Sequence, residues 1–245
     1  MHTQTVEFAD LGSIEYGKAW DLQERMLRSK TDLKRSAHLA ALQGDQAEVP
    51  NVTHHLLFCE HPPVFTMGKS GDMAHVLLSE SGMAEKGVSF YQTNRGGDIT
   101  FHGPGQVVGY PLIDLERFRP DLGWYLRSLE EVVILALSSF GIKGERSIGE
   151  TGVWLEPGIP GKERKICAMG VRCSRWVTMH GFALNVNTDL SFFDHIIPCG
   201  IRGKQVTSIR RETGVEASME EVKTLLKGSF EEVFGCSLVS AGSLE

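Results

Sequence analysis

The most regular apolar pattern runs through residues 122–140, LGWYLRSLEEVVILALSSF, where Leu122, Tyr125, Leu126, Leu129, Val132, Val133, Ala136, Leu137 and Phe140 recur every three or four positions. That spacing stacks apolar side chains on one stripe and predicts a helix, which Gly141 ends. A second stripe, Val222, Leu225, Leu226 and Val233, follows Ser218 and Glu221, which are spaced as a capping box at a helix start. Tyr16, Ala19, Trp20, Gln23, Met26 and Leu27 open a third helix, extended through a polar segment to about Leu42. Short apolar runs at 54–60 (HHLLFCE), 64–68 (VFTMG), 88–93 (VSFYQT), 152–155, 164–171 and 176–187 read as strands. Helices and strands mix without regular βαβ alternation, which predicts an α+β fold with a mixed or largely antiparallel sheet flanked by helices. No repeat, low-complexity tract or Pro/Ser-rich linker interrupts the chain, so a single domain over 1–245 is expected.

Composition narrows the function classes. At 41% apolar and 23% charged residues, the chain falls among ordinary soluble globular proteins. No apolar run approaches the ~18–20 residues that cross a bilayer. The opening MHTQTVEFADLGSIEYGKAW has neither a signal peptide's nor a transit peptide's pattern, so a cytoplasmic protein with no membrane role is expected. Five cysteines without a C-x-x-C pair argue against a disulfide framework and a zinc site, and no metal is expected. A net charge of −6 disfavours nucleic-acid binding. Cations still cluster at 161–175 (Lys162, Arg164, Lys165, Arg172, Arg175) and at 200–211 (Arg202, Lys204, Arg210, Arg211), which suggests a local surface for an anionic partner.

Chemistry concentrates in two places. Residues 95–106, RGGDITFHGPGQ, are dense in glycine, which lets backbone approach a ligand closely. GPGQVVG misses the dinucleotide fingerprint by one position and precedes a strand, while GIPGKE lacks the phosphate-loop spacing. Neither supports nucleotide binding. In IIPCGI, Cys199 sits between Pro198, which fixes the approach of the chain, and Gly200, which leaves the sulfur open, as suits a nucleophile. A free thiol is only about 3% thiolate at pH 7, so it needs a base or cation nearby. His102, His180, His195 and Lys165 are the candidates. On a strand, Lys165, Cys167 and Met169 would share one face, with Ile166 and Ala168 on the other.

The segments RGGDITFHGPGQVVGYPLIDL, GVW…KICAMGVR, HGFALNVNTDL and IIPCGI, in this order between about Leu56 and Ser208, closely resemble the lipoyl(octanoyl) transferase family. The resemblance implies the α+β fold of biotin and lipoate protein ligases and a catalytic dyad of Cys199 and Lys165. It places acyl-binding residues at Arg95, Gly96, Gly97, Asp98, Ile99, Thr100, Phe101 and His102, at Ala168, Met169 and Gly170, and at Gly181, Phe182 and Ala183. Asp98 and Phe101 fall where the family varies. The first 50 or so residues and the last 35 lie outside the motifs. The implied reaction moves an octanoyl group from octanoyl-acyl carrier protein to a lysine of the lipoyl domains of 2-oxoacid dehydrogenase complexes or of the glycine cleavage H protein. It needs no cofactor, because thioester exchange followed by amide formation is downhill. The competing readings are an ATP-dependent lipoate or biotin ligase, a lipoyl-domain amidotransferase, and a non-catalytic acyl-binding module.

Overall fold

The computed structural model describes residues 4–43, 52–197, 205–242 and 244. In chain order the elements are β1 (Gln4–Ser13), α1 (Tyr16–Leu42), β2 (His54–Glu60), β3 (Val64–Met67), α2 (Glu80–Glu85), β4 (Ser89–Gln92), β5 (Ile99–His102), β6 (Gln106–Leu112), α3 (Leu122–Ser138), β7 (Val153–Leu155), β8 (Arg164–Ser174), β9 (Val177–Asn185), β10 (Gln205–Val206), α4 (Ile209–Thr213), α5 (Met219–Phe234) and β11 (Cys236–Ser240). The main sheet runs β10-β8-β9-β6-β2-β1-β11, with β7 also paired to β8, and a small sheet runs β4-β3-β5. β1 is parallel to both β2 and β11, whereas β2, β6, β9 and β8 are successively antiparallel. The sheet is mixed, as the sequence pattern implies.

The apolar stripes of α3 and α5 meet one face of this sheet. Tyr125, Leu129, Val132, Val133 and Leu137 pack with Val222, Leu226 and Phe230 against Leu56, Phe58, Val107, Phe182 and Leu184, all essentially without solvent contact. Each such side chain contributes roughly 1.5–3 kcal/mol of burial. Both helices start as expected: Asp121 caps α3 by accepting from the Trp124 N–H (2.9 Å), and Ser218 caps α5 by accepting from the Glu221 N–H (3.3 Å). α1 covers the opposite face, where Ala19 and Leu22 meet Leu57, Val108, Leu112 and Ala183.

Two details depart from the sequence pattern. β8 continues to Ser174 and turns into β9 through Arg175 (φ 49°) and Trp176 (φ 66°), two successive left-handed residues that match a tight hairpin. Within β8 the register against β7 slips: Trp154 faces Lys165, but Val153 faces Cys167. Ile166 is the extra residue of a bulge, and a bulge reverses alternation. Ile166 and Cys167 are therefore both in the core with α3 and α5, and Lys165 does not share the face of Cys167 as strict alternation predicts.

Candidate active site

A cavity of about 460 Å³ lies against β6, β8 and β9, roofed by α1, the glycine-rich segment and the loop at 149–151. Ala168, Ala183 and Val108 stand in one row across β8, β9 and β6, and Gly170 faces Gly181 one row further on. Small residues in these rows leave space above the sheet. From Asn185 to Gly181 the floor extends about 13 Å at roughly 3.3 Å per residue, enough for a medium acyl chain lying along the strand.

The glycines let the upper wall close onto the sheet. The Gly96 N–H donates to the Val171 carbonyl (2.9 Å), and the Gly68 N–H donates to the Asp98 carbonyl (3.1 Å), so the segment is held from both sides. A Cβ on Gly170 would lie 2.7 Å from the Gly96 carbonyl oxygen, and one on Gly68 would lie 2.2 Å from that of Gly97. We expect Gly170→Ala to displace this wall and raise the KM for the octanoyl donor that the family resemblance implies at least about fivefold with a smaller change in kcat, read from steady-state kinetics; an unchanged KM would mean that the wall does not contact substrate.

Arg95 is buried beneath the segment, its Nη1 donating to the Gly96 carbonyl (3.0 Å) and its Nη2 to Thr66 Oγ1 (3.0 Å). His102 holds Gln106 Oε1 at 2.8 Å through Nδ1 and Thr66 Oγ1 at 3.3 Å through Nε2. Burial, with neighbouring His61 adding, pushes its pKa down to about 3. His180 has a left-handed backbone (φ 57°), a strained conformation for a strand residue. The kink turns it toward α1, where its N–H donates to Gln23 Oε1 (2.9 Å) and its Nε2 meets Asn94 Oδ1 (2.8 Å). Burial, reinforced by Arg95 and Arg172, pushes it down to about 3 as well. Both rings are thus held neutral, His102 engaged through both ring nitrogens and His180 through Nε2. His195 does not line the cavity.

Lys165 does. Its Nζ lies 4.5 Å from the ring centroid of the buried Trp154, a cation–π distance that holds the side chain in place. Gly152, at φ 113°, passes close enough that a Cβ there would lie 3.6 Å from Lys165 Cε and 2.5 Å from the Cys167 carbonyl. Cys59 and Cys167 are fully buried and burial pushes both thiols far up, while Cys236 is pushed up to about 12. Cys173 is half-buried and also raised by burial, away from the cavity. Among the described residues, then, no cysteine is a ready nucleophile. Cys199 lies outside the described residues, as do Arg202 and Lys204.

Of the residues expected to bind the acyl group, Arg95 to Thr100, His102, Ala168 to Gly170 and Gly181 to Ala183 all line the cavity. Phe101 does not. Alternation along β5 sends it away from Thr100 and His102 into the core of the small sheet, stacked on Phe192 at 4.6 Å between ring centroids. The cavity also recruits Tyr16 from α1, Gln106, Val108 and Tyr110 from β6, Leu122, Leu126, Glu150, Asn185, Phe193 and Val206. Gln106 and Asn185 sit inside the motifs GPGQ and HGFALN, but nothing local marks Tyr16 or Leu126 as site residues. Three cations of the expected basic surface pair within the protein: Arg164 binds Glu212 in a fork (2.7 and 2.6 Å), Arg172 pairs with Glu24 (2.7 Å) and Arg210 with Glu216 (3.5 Å).

An α+β sheet enclosing a cavity of this size, with Lys165 held at its wall, suits an acyl-handling enzyme. Residues 15–231 match the family described as lipoyl protein ligase A/B catalytic domain, and the chain belongs to that family, on its lipoyl(octanoyl) transferase side. It is 52% identical over 237 residues to the octanoyltransferase of Flavobacterium psychrophilum, covering 96% of this chain and 99% of the relative. It is 54% identical over 234 residues to that of Christiangramia forsetii, covering 95% and 97%. The fold also matches a bipartite lipoate protein ligase from Thermoplasma acidophilum, with a TM-score of 0.68 at 17% identity over 98% of this chain and 87% of that one. The chain is an acyltransferase. Among the described residues no helix is long and apolar enough to cross a membrane.

Proposed function

We propose that the enzyme transfers octanoyl from octanoyl-acyl carrier protein to a lysine of a lipoyl domain, including that of the glycine cleavage H protein, in the cytoplasm, through a thioester on Cys199 with Lys165 carrying the proton. The observation that carries this reading is Lys165 held over Trp154 at the wall of a cavity whose floor is cleared by Ala168, Gly170, Gly181 and Ala183. Phe193 and Val206, on either side of the stretch containing Cys199, line the same cavity, and the Thr207 N–H donates to the Lys165 carbonyl (2.9 Å).

The steps balance without a cofactor. Lys165 Nζ, as an amine, takes the proton of the Cys199 thiol, and the thiolate attacks the donor thioester carbonyl. The carbon–sulfur bond to the carrier breaks, and its thiolate leaves with the proton from Lys165. The acceptor amine then attacks the Cys199 thioester, giving its proton to Lys165, which returns one to the Cys199 sulfur. Because thioester replaces thioester in the first half, ATP has no step to drive. For the oxyanion, β8 offers a short stretch of edge, between its pairing with β7 and its bond to Gly96, that is unpaired among the described residues. The Val171 carbonyl bonds Gly96 rather than β9, so alternation points the Met169 N–H to that same edge, beside the cavity, as a donor.

Intact-mass spectrometry after incubation with octanoyl-acyl carrier protein and no ATP tests the reading. We expect one octanoyl adduct, absent from Cys199→Ser and discharged by a lipoyl domain. An adduct retained in that variant would move the nucleophile elsewhere, and transfer only with octanoate and ATP would make the enzyme a ligase.

A further inference from the structure

One continuous run of buried side-chain hydrogen bonds crosses the site, and its directions can be assigned. Arg95 only donates, so Thr66 Oγ1 accepts from it and donates to His102 Nε2. His102 Nδ1–H then donates to Gln106 Oε1 (2.8 Å). Gln106 Nε2 donates to Asn185 Oδ1 (2.9 Å) and to the Phe101 carbonyl (3.1 Å). Asn185 Nδ2 donates to the Thr207 carbonyl (3.0 Å). Apart from the branch to Phe101, the donors point the same way, from the glycine-rich wall toward β10, an arrangement in which each bond polarises the next.

Thr207 is where this run reaches Lys165. It is fully buried, and all its polar groups are engaged. Its N–H donates to the Lys165 carbonyl (2.9 Å), its carbonyl accepts from Asn185 (3.0 Å), and its hydroxyl donates to Glu212 Oε1 (2.5 Å). Glu212 in turn grips Arg164, the residue before Lys165, through both carboxylate oxygens at 2.7 and 2.6 Å. The bulge at Ile166 lies one residue beyond Lys165. The backbone of Lys165 is thus fixed at the end of the β10–β8 ladder, beside the point where the register between β7 and β8 slips.

We propose that Asn185 and Thr207 are positioning residues for the acyl transfer: they clamp the Lys165 backbone to the acyl-binding wall, so that the amine meets the thioester at the place where the cavity holds it. Neither side chain needs to touch the reacting atoms. The inference rests on Lys165 being the proton carrier. It assigns the amide of HGFALN and the threonine after β10 a part in turnover, separate from binding the acyl chain.

Near-isosteric variants separate this role from folding. Asn185→Asp keeps the shape and the bond from Gln106 but sets a carboxylate oxygen against the Thr207 carbonyl. Thr207→Val keeps the volume and loses the hydroxyl, whereas Thr207→Ser keeps the hydroxyl. With octanoyl-acyl carrier protein as donor, we expect Asn185→Asp and Thr207→Val to lose about ten- to hundredfold in kcat, as a small misplacement of a reacting group does. Their KM should stay within about twofold, the pH profile of kcat should shift, and Thr207→Ser should recover most of the rate. An Asn185→Asp enzyme with parental kcat, or one whose loss lies in KM with an unmoved pH profile, would overturn the clamp. A parent enzyme that forms no octanoyl adduct would remove the proton-carrier reading and the clamp with it; a parent that forms the adduct beside an unaffected Asn185→Asp would remove the clamp alone.

Discussion

Replacing Lys165 by alanine is expected to slow octanoyl transfer by about a hundred- to ten-thousand-fold, the range typical of losing a positioned general base. The loss should appear in kcat and in kcat/KM together, since the cavity is lined mainly by other residues. Lys165→Arg sharpens the test. The guanidinium keeps the charge and reaches the Trp154 face, but it does not give up a proton in the working pH range. It should therefore be nearly as inactive as the alanine variant. Single-turnover acylation of the enzyme, followed by intact mass, reads the first half-reaction directly. An arginine variant within tenfold of the parent would show that Lys165 acts as a fixed charge rather than as a proton carrier.

Acid should unfold this protein well before its carboxylates are neutralised. His54, His55 and His61 are buried and pushed down to about 4, His102 and His180 to about 3, in each case first by burial; Lys30 adds to the effect at His54 and His55. Their folded values lie below the unfolded value near 6.5, so between these limits the unfolded chain binds more protons. The stability from keeping these rings neutral is complete above about pH 6.5 and is lost as pH falls toward the folded values. In mid-window each histidine costs about 1.4 kcal/mol per pH unit, and the set together on the order of 7 kcal/mol per unit. Against a total stability of roughly 5–15 kcal/mol, the unfolding midpoint should fall between about pH 4 and 6. Circular dichroism with urea titrations at successive pH values measures it. Stability that stays level from pH 7 to pH 5 would contradict the neutral, buried state of these rings.

The elements that read correctly from sequence are those whose side chains face one environment along their whole length. The stripe from Leu122 to Leu137 and the run from His54 to Glu60 are of this kind. β1 and β11 were not visible because QTVEFADLGS and CSLVS are polar or half-exposed, and only parallel pairing, of β1 with β2 and β11 and of β11 with β1, makes them strands. The hairpin at Arg175–Trp176 carries no glycine to announce two left-handed residues. The bulge at Ile166 is set by β7, a partner that no local pattern specifies. For the site, glycine density marked the segment 95–106 that lines the cavity, because close backbone approach leaves that trace in composition, whereas 168–170 and 181–183 were marked only by the family resemblance. Phe101 stands among the expected residues because a motif counts consecutive positions, while a strand divides their side chains between two faces. Tyr16 and Leu126 reach the cavity only through packing, which no single segment encodes.

The pairing of β1 with β11 also bears on solubility. β11 occupies the outer side of β1 through partners from Gln4↔Cys236 to Phe8↔Ser240. Without it, β1 would present a row of unsatisfied N–H and C=O groups, with Val6 and Phe8 beside them, as a template for another chain to join. Shortening the protein at Gly235 would therefore leave the cavity residues in place and still produce a species prone to edge-to-edge self-association.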